Sequence, residues 1–462
     1  MKIALVNLPH RTRVMRRYVA SYNAPNFLIP PLELMSVGAV LEREHEVILI
    51  DAIAEELSRE GLLRRLTSFG PELIVSLLGF KIVGEDIAEL AHLRSKLPDA
   101  QTVAFGYLPS QCPRETLAAE GVDMVVIGEP EITLAELCRG GGSPEGVAGL
   151  AFKRSGEIIL NEPRPRIQDL DSLPFADISL IKTELYNESF LDRPIAVLLT
   201  ARGCPFRCSY CVKTYGGEVV YRSAENVLAE LSEIVSEHGI RNIRFLDDTF
   251  TANLPRAKAI CRGMIERRLG IQWTCLTRPD TLDDELLGLM KQSGCKRIYA
   301  GIESGSQRVL DYYRKGYRVE SVERQVRMIK KAGIEVSAFF IVGAPIETDE
   351  DVEQSISLAK RLDVDYIIVT MLQYWPGTDV FELMRGDIDW NLLPLRCRPR
   401  DGALARRAIE WERRFYREFY LRPGYILRRL STLARTPSDI VEGYRKLKRF
   451  VRQTSPEGDD FI

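Results

Sequence analysis

Two successive alternations of strands and helices predict an α/β fold for this chain of 462 residues. In the first third, short apolar β-rich segments alternate with amphipathic helical patterns, which is typical of a doubly wound, Rossmann-like sheet. A second alternation of six strand–helix units predicts a partial (β/α)6 barrel. The predicted organisation is an N-terminal domain at 1–148, a linker with a hairpin at 149–190, the barrel at 191–385 and a helical C-terminal domain at 386–462.

The N-terminal sheet is predicted from five strand candidates. They are "KIALVNL", "EVILIDA", "LIVSLLG", "TVAFGY" and "MVVIG", which begin at Lys2, Glu46, Leu73, Thr102 and Met124. Helical patterns such as "LELMSVGAVLERE" and "GEDIAELAHLRSKL" lie between them. In parallel sheets of this kind, ligands bind beyond the carboxyl ends of the strands. The loops after the strands, among them "GYLPSQCP" and "GEPEIT", are therefore candidate binding loops.

The boundary between the two domains is predicted at "GLAFKRSGEIILNEPRPRIQDLDSLPFADI", which has the pattern of a hairpin followed by a proline-rich connector. The barrel strand candidates after it are "PIAVLLTARG", "NIRFLDD", "QWTCLTR", "RIYAGIES", "VSAFFIVG" and "DYIIVTML". Helical patterns such as "AENVLAELSEIVSEHG" separate them. The chemistry of such a barrel is expected at the carboxyl ends of its strands.

The composition excludes several classes of protein. Apolar residues make up 45% of the chain and charged residues 28%, with a net charge of −2, so no overall field favours nucleic acid. No run of 18 apolar residues suggests a membrane span, and "MKIALVNLPH" has the pattern of a buried strand rather than a signal peptide. We therefore expect a cytoplasmic protein whose cysteines are reduced and not paired in disulfides.

Three of the nine cysteines, Cys204, Cys208 and Cys211, lie within eight residues, whereas the other six are scattered. Thiolate sulfur is a soft ligand that selects zinc, copper(I) or iron–sulfur clusters. Zinc normally takes four protein ligands, often as two separate pairs, and no second pair is present here. Three thiolates on an iron–sulfur cube leave one iron open. The trio therefore fits an incomplete cluster better than the alternatives, which are a zinc loop or three core cysteines.

The spacing C-x3-C-x2-C, with Tyr210 before the last cysteine, resembles the signature of the radical S-adenosylmethionine (SAM) superfamily. The resemblance implies that the three cysteines bind a 4Fe–4S cluster, that SAM chelates the fourth iron and that Tyr210 lies close to these cofactors. It also implies reductive cleavage of SAM to a 5′-deoxyadenosyl radical. An external electron donor such as flavodoxin or ferredoxin would supply the electron.

The ends of the second and third barrel strands carry further residues that the resemblance implies in SAM binding. Asp247 and Asp248, in "FLDDTF", would accept hydrogen bonds from the SAM ammonium group. The alternative is that Asp248 or Thr249 caps the next helix. Arg278, in "CLTRPD", would pair with the SAM carboxylate, and a surface salt bridge is the alternative.

The fourth and fifth strands end in "YAGIESGSQ" and "FFIVGAPIET", which also resemble segments of that superfamily. The resemblance implies that Glu303 and Ser304 lie near the ribose or amino group of SAM. An acidic side chain inside a barrel is costly unless it is paired, which favours a function for Glu303. In the fifth-strand segment, Gly343 and Pro345 would let the backbone approach the adenine ring closely.

The N-terminal half resembles that of the cobalamin-binding (B12-dependent) radical SAM enzymes. The phrases "PPLELMSVGAVLE", "VVIGEPEITLAEL", "GLAFKRSGEI" and "DLDSLPF" carry this resemblance by their order, and with the barrel it covers residues 1–385. It implies that cobalamin binds the N-terminal domain, with Gly128 and Glu129 among its contacts. The alternative is a degenerate domain that binds nothing.

The motif D-x-H-x-x-G, whose histidine binds cobalt in many cobalamin proteins, does not occur in this sequence. Bound cobalamin would therefore lack a protein histidine ligand, and its lower face would meet the loop of Tyr107, Leu108 and Gln111. An apolar residue there would favour the nucleophilic Co(I) state. Only Cys112 and Cys138 occur in the N-terminal domain at 1–148, which argues against the three-cysteine extra cluster of methylthiotransferases.

These resemblances imply a cobalamin-dependent methyltransferase that acts on an unactivated carbon or phosphorus centre through a 5′-deoxyadenosyl radical and methylcobalamin. One alternative is radical cyclisation, ring rearrangement or oxidation with cobalamin in a non-methylating role, and another is a cofactor-binding redox sensor. The substrate would be a small or lipid-like molecule. The sequence does not identify which residues of the enzyme are catalytic. The arginine-rich C-terminal region predicts a helical cap on the barrel, with peripheral membrane contact as the alternative.

Overall fold

The computed structural model describes residues 1–18, 21–23, 27–188, 191–393 and 395–427. The strands of its N-terminal half are β1 (Lys2–Asn7), β2 (Val14–Arg16), β3 (Ser21–Asn23), β4 (Glu46–Asp51), β5 (Leu73–Leu77), β6 (Gln101–Phe105), β7 (Met124–Val126), β8 (Leu150–Arg154) and β9 (Glu157–Leu160). The helices are α1 (Leu32–Leu41), α2 (Arg59–Phe69), α3 (Val83–Lys96), α4 (Tyr107–Gln111), α5 (Pro113–Ala118) and α6 (Pro130–Arg139).

The first sheet has seven strands in the order β4-β1-β5-β6-β7-β8-β9. The first five pair in parallel, as the sequence predicts, and the order reverses between β1 and β5. Strands β8 and β9 form an antiparallel hairpin joined to β7, where Val125 pairs with Ala151. The hairpin that the sequence analysis placed in the linker is therefore an extension of this sheet.

Helices cover both faces of the first sheet, which confirms the doubly wound architecture. Helices α1 and α6 contact each other and bury Leu34 and Leu134 in the core of one face. Helices α2 and α3 bury Leu66 and Leu90 in the core of the other face. The near-continuous apolar strands follow from this arrangement, because both of their faces are buried.

The second half contains the barrel and a C-terminal cap. Its strands are β10 (Ile195–Leu198), β11 (Ala201–Arg202), β12 (Val220–Tyr221), β13 (Asn242–Phe245), β14 (Gln272–Thr277), β15 (Cys295–Glu303), β16 (Glu335–Val342), β17 (Tyr366–Met371), β18 (Ile388–Asn391) and β19 (Arg396–Pro399). Its helices are α7 (Ala224–Glu237), α8 (Leu254–Glu266), α9 (Asp284–Gln292), α10 (Gln307–Tyr312), α11 (Val319–Lys331), α12 (Asp349–Leu362), α13 (Asp379–Met384) and α14 (Gly402–Tyr420).

Six parallel strands form the barrel sheet in the order β10-β13-β14-β15-β16-β17. Strands β10 and β17 are its two edges, so the barrel is open between them, as expected for a partial (β/α)6 barrel. Because neighbouring strands run in parallel, their carboxyl ends all lie at one end of the barrel. This end carries the cysteine loop, which follows β10.

The carboxyl edge of the first sheet faces the same end of the barrel. The hydroxyl of Tyr107 donates to the carbonyl of Pro376 at 2.6 Å, and the ring centres of Phe80 and Trp375 lie 3.7 Å apart. The loops at which both domains are expected to bind ligands therefore meet.

The C-terminal region differs from the helical prediction at its start. Strands β18 (Ile388–Asn391) and β19 (Arg396–Pro399) pair antiparallel before α14 begins. Helix α14 packs on β16 and β17 through Trp411, Phe415 and Phe419, so this part is a cap on the barrel, as predicted. The arginine-rich tail from residue 428, for which membrane contact was the alternative, lies outside the described residues. Within the described chain, no helix has both the length and the hydropathy of a membrane span.

Candidate active site

The three cysteines lie on a loop whose base is closed by a two-stranded ribbon. Strand β11 pairs antiparallel with β12, so the two ends of the cysteine loop lie side by side near the end of β10. Gly203 begins the loop with φ of +97°, and a Cβ atom there would lie 2.4 Å from the carbonyl oxygen of Glu218. Only glycine fits this position, which explains the short connection between β11 and Cys204.

The thiols face one concavity at the carboxyl end of the barrel. The sulfur of Cys204 lies 3.6 Å from Oγ1 of Thr249, and that of Cys208 lies 3.7 Å from Nη1 of Arg278. Burial first, and then the charges of Asp248 and the other two thiols, raise the pKa of Cys211. Deprotonation at neutral pH therefore requires a positive partner such as a metal.

The donor set fits the implied 4Fe–4S cluster better than a zinc ion. Tetrahedral zinc holds its sulfurs about 3.8 Å apart, given bonds of about 2.3 Å. Within the described part of the chain, the three sulfurs do not all lie within 4.8 Å of one another. A cube of iron and sulfide accepts thiolates that are farther apart, and all three thiols are free for it.

The two aspartates after β13 have different environments. Asp247 is buried and accepts hydrogen bonds from the hydroxyl of Thr200 at 2.7 Å and from its amide, which ties the ends of β10 and β13 together. Asp248 is solvent-accessible within the concavity, where desolvation and then the charge of Asp247 raise its pKa to about 6. Neither Asp248 nor Thr249 caps α8, because Asn253 does so. Asp248 is therefore the carboxylate placed to meet a ligand.

Arg278 supports the cysteine loop. Its guanidinium makes two hydrogen bonds to Asp280, of 2.9 and 2.8 Å, donates to the carbonyl of Lys315 and lies 3.8 Å from the ring centre of Phe206. The salt bridge given as the alternative is present, although the side chain is buried rather than on the surface. An interaction with the SAM carboxylate stays a prediction.

Glu303 is turned into the site by an irregularity in β15. The register with β16 shifts between Gly301 and Glu303, and Glu303 has a φ of +68°, which is rare for a residue with a side chain. Its carboxylate lies 3.1 Å from Nζ of Lys315, and both side chains are buried. Lys315 also lies 3.5 Å from the hydroxyl of Tyr210. The charge that compensates Glu303 is thus a lysine that the sequence analysis missed.

Ser304, the neighbour of Glu303, points to the opposite side of the strand. Its hydroxyl lies 3.1 Å from that of Ser355 on α12 and accepts from the amide of Ser306. It is fully buried there and does not point toward Glu303 or the thiols, and a place near the ribose or amino group of SAM stays a prediction. Its position gives it a role in joining β15 to α12.

The fifth-strand segment is organised by a second residue that the sequence analysis missed, Glu347. Gly343 has a φ of +93°, and its amide donates to the Glu347 carboxylate at 2.6 Å. The amide of Ala344 donates to the same oxygen at 3.2 Å, and Pro345 is half-buried beside it. Burial raises the pKa of Glu347 to about 7.

Replacing Glu347 with glutamine should change the pH dependence of stability. At a pH below the pKa of Glu347 in the unfolded chain, the carboxyl is neutral in both the folded and the unfolded state. As the pH rises toward and through the folded-state pKa of about 7, the folded protein must either keep a proton or bury a charge, which lowers the stability of the wild type. Since one pKa unit is worth 1.36 kcal/mol, E347Q should gain about 2–3 kcal/mol over the wild type between pH 5 and 8. Urea unfolding at both pH values measures this gain, with the exposed E320Q as control. A gain equal in both variants would contradict the prediction.

The loop expected below cobalamin is packed more tightly than predicted. The side chain of Leu108 is 1% exposed and lies in the core of the first domain, so it cannot form a lower face. Tyr107 is buried against Pro376, whereas Gln111 is exposed beside Gly377. Only Tyr107 and Gln111 of the predicted trio therefore face the barrel.

The backbone of the sheet edge fits a large ligand. A glycine follows each of three adjacent strands, namely Gly79, Gly106 and Gly128, and no atom lies within 4 Å of the place that a Cβ of Gly128 would occupy. At Gly128 a ligand can therefore approach the backbone closely, whereas the corresponding space at Gly106 is filled by Leu77, Leu78 and Tyr18. Of the histidines, His10 follows the end of β1 most closely, and its Nε2 lies 2.8 Å from a carboxylate oxygen of Glu85.

Glu129, predicted to contact the cofactor, is engaged in protein contacts instead. One oxygen accepts from Arg202 at 2.7 Å and the other from the amide of Ile167 at 2.7 Å. Both of its oxygens are therefore used within the protein.

Comparisons with known proteins agree with both halves of the structure. The family model "Radical SAM superfamily" matches residues 198–359, and "B12 binding domain" matches residues 23–138. An uncharacterised methyltransferase of Pyrococcus horikoshii is 34% identical over 392 residues, which cover 83% of each chain. An anaerobic magnesium-protoporphyrin IX monomethyl ester cyclase of Rubrivivax gelatinosus is 26% identical, over 73% of this chain and 62% of its own. A cytidylyl-2-hydroxyethylphosphonate methyltransferase of Streptomyces wedmorensis is 28% identical, over 68% and 69%.

Two solved structures share the fold. The radical SAM methyltransferase TsrM of Kitasatospora setae, with tryptophan and a SAM analogue bound, has a TM-score of 0.66 at 21% identity, over 83% of this chain and 76% of that one. OxsB, with aqua-cobalamin and SAM bound, has a TM-score of 0.73 at 17% identity, over 98% and 71%. With its cysteine loop, its two matched domains and its relative in Pyrococcus horikoshii, the chain belongs to the cobalamin-dependent radical SAM enzymes, whose cofactors are a 4Fe–4S cluster, SAM and cobalamin.

Proposed function

We propose that the enzyme transfers a methyl group from SAM to an unactivated carbon or phosphorus centre of a small or lipid-like molecule. The observation that carries the proposal is the contact between the carboxyl edge of the first sheet and the carboxyl end of the barrel, through Tyr107 and Pro376. Cofactors bound at these two ends would therefore face each other. The relatives in Pyrococcus horikoshii and Streptomyces wedmorensis, both named methyltransferases, support the same reaction class.

The residues of this chain would bind and orient the reactants. When bound, the cluster supplies the electron for SAM cleavage and cobalamin carries the methyl group. Cys204, Cys208 and Cys211 would hold the cluster, while Asp248 would accept a hydrogen bond from the SAM ammonium group. The Glu303–Lys315 pair would lie beside it, and the short contacts between the domains would exclude water from the reacting centres.

The barrel interior supports an apolar or partly apolar substrate. On β16, Phe340 packs against Phe415 of the cap, so Phe339 and Ile341 face the interior, where both are only half-buried. Ile368 on β17 is half-buried in the same way. These side chains give the accessible interior an apolar wall, on which a lipid-like or aromatic substrate would be favoured.

The alternative is radical cyclisation, as the name of the Rubrivivax gelatinosus relative indicates, or oxidation. To distinguish these reactions, the holoenzyme is incubated with SAM that carries a deuterated methyl group, a one-electron reductant and small-molecule extract. We expect the label in an extracted product, with formation of 5′-deoxyadenosine. Consumption of an extracted compound without label would favour cyclisation or oxidation. A redox sensor would form no 5′-deoxyadenosine.

A further inference from the structure

We propose that Arg202, Glu129 and Glu131 form an interdomain clamp that sets the distance between the cobalamin domain and the cysteine loop. In this proposal, which rests on the proposed methyl transfer, the three are positioning residues for passage of the methyl group between the cofactors. None of them would touch a reacting atom.

The clamp joins the two domains by charge-assisted hydrogen bonds. Nη1 of Arg202 donates to Glu129 at 2.7 Å, and Nη2 donates to Glu131 at 2.5 Å. All three side chains are buried, and the guanidinium also lies 5.1 Å from the ring centre of Tyr215. A planar guanidinium can bind two carboxylates at fixed angles, so this contact defines orientation as well as proximity.

On the barrel side, the clamp is connected to the cluster ligands by very few bonds. Arg202 ends β11, and only Gly203 separates it from Cys204. The carbonyl oxygen of Glu218 occupies the place where a Cβ of Gly203 would stand, so the backbone of this connection is closely packed. Arg202 is therefore a fixed point beside Cys204, and whatever it binds is held at a set distance from the cysteine loop.

On the other side, the clamp is connected to the helix that was expected below cobalamin. Glu129 follows Gly128, whose amide donates to Oγ of Ser110 on α4 at 3.0 Å. The carbonyl of Gly128 accepts from the hydroxyl of Tyr18 at 2.7 Å. Helix α4 and the cysteine loop are thus connected through Ser110, Gly128, Glu129 and Arg202.

A second anchor makes the position of α4 depend on this clamp. The contact of Tyr107 with Pro376 holds the same helix to the loop after β17. The two anchors follow β10 and β17, the edge strands of the barrel. With one anchor alone, the first domain could pivot on the barrel; with both, the distance between α4 and the thiols is fixed.

The conservative variant Arg202→Lys tests the clamp, because a lysine keeps the charge but cannot bind both carboxylates at fixed angles. The control is Arg164→Lys, since Arg164 pairs with Glu136 on the same helix as Glu131 but joins only the linker to the N-terminal domain. Both full-length variants are reconstituted with iron, sulfide and cobalamin. Pulsed electron paramagnetic resonance then measures the coupling between the reduced cluster and Co(II) of cobalamin.

We expect one narrow coupling for the wild type and R164K and a broadened or shifted one for R202K. Transfer of labelled methyl from SAM to the corrinoid should fall about 10-fold to 100-fold in R202K, because small displacements of reactants are costly. Formation of 5′-deoxyadenosine should stay within about twofold, since it needs the barrel alone. Glu131→Gln, which weakens the same contact from the other side, should have the same effects if R202K folds poorly.

An unchanged coupling in R202K and E131Q would overturn the proposal. So would equal losses of methyl transfer and 5′-deoxyadenosine formation accompanied by loss of iron, because Arg202 would then merely support the cluster. If the wild type itself transfers no methyl group to the corrinoid, the proposed function fails, and the spin coupling alone decides on the clamp.

Discussion

Cys208→Ala should reduce the formation of 5′-deoxyadenosine from SAM by more than about 100-fold, because two thiolates cannot hold an iron–sulfur cube with one open iron. The same loss is expected for Cys204→Ala and Cys211→Ala. The measurement is 5′-deoxyadenosine released under a strong one-electron reductant, with the iron content of each anaerobically reconstituted variant. The proteins should remain folded, since none of the three side chains is fully buried.

Cys397→Ala is the matched control for this prediction. Cys397 is also free and partly buried, but it lies on β19 and donates to the carbonyl of Tyr374, away from the thiol trio. It should keep the iron content and SAM cleavage of the wild type. Retention of a four-iron cluster in Cys208→Ala would show that another residue serves as the third ligand, and the assignment of the site would then be wrong. Cobalamin binding should be equal in the three thiol variants and the wild type, because the substitutions in the cysteine loop leave the first sheet unchanged.

The parts of the molecule that depend on local patterns could be predicted from the sequence. The strands of both sheets have apolar segments of the right length, and the order of strands and helices leaves few possible topologies. The spacing of Cys204, Cys208 and Cys211 lies within one loop, so no tertiary information is needed to recognise it. Helix α14 has an apolar face with Trp411 and Phe415, which predicts a cap on the barrel.

Arg202 and Lys315 were missed because their roles depend on contacts with distant positions, whereas the missed Glu347 lies only four positions from its partner Gly343. Arg202 and Glu129 are 73 positions apart, and nothing in either segment indicates that they meet. Lys315 reaches Glu303 through a turn in which Arg314 and Gly316 both have positive φ values. The place of Lys315 within this turn was the one signal that could have indicated that its side chain has an unusual environment.

Two residues were assigned to the site although their side chains face elsewhere. Strand β15 ends at Glu303, whose positive φ turns the chain, and Ser304 after it points to Ser355 on α12. On the short helix α4, Tyr107 reaches the barrel while Leu108 enters the core. A motif match assigns a segment to a site, but the direction of each side chain is decided by packing that the motif does not contain.

Lys315→Met should lower the free energy of unfolding by about 3–5 kcal/mol, because it leaves the Glu303 carboxylate buried without its charged partner. The double variant with Glu303→Gln should recover most of this loss, since no unpaired charge then remains. Urea unfolding of the two single variants and the double variant gives the coupling energy directly. Arg314→Met is the control: its neighbouring ion pair with Asp379 is exposed and should contribute less than about 1 kcal/mol.

The double variant separates the structural role of the pair from its role at the site. Lys315 lies beside Tyr210, and its charge lowers the pKa of Cys211 and so favours the thiolate. A protein that regains its stability with methionine and glutamine at these positions should therefore still bind SAM more weakly than the wild type, as equilibrium dialysis of the reconstituted protein can measure. If SAM binding recovered together with stability, the pair would serve only to compensate a buried charge. If Lys315→Met alone were as stable as the wild type, Glu303 would have to be neutral or hydrated, and its direction into the barrel would need another explanation.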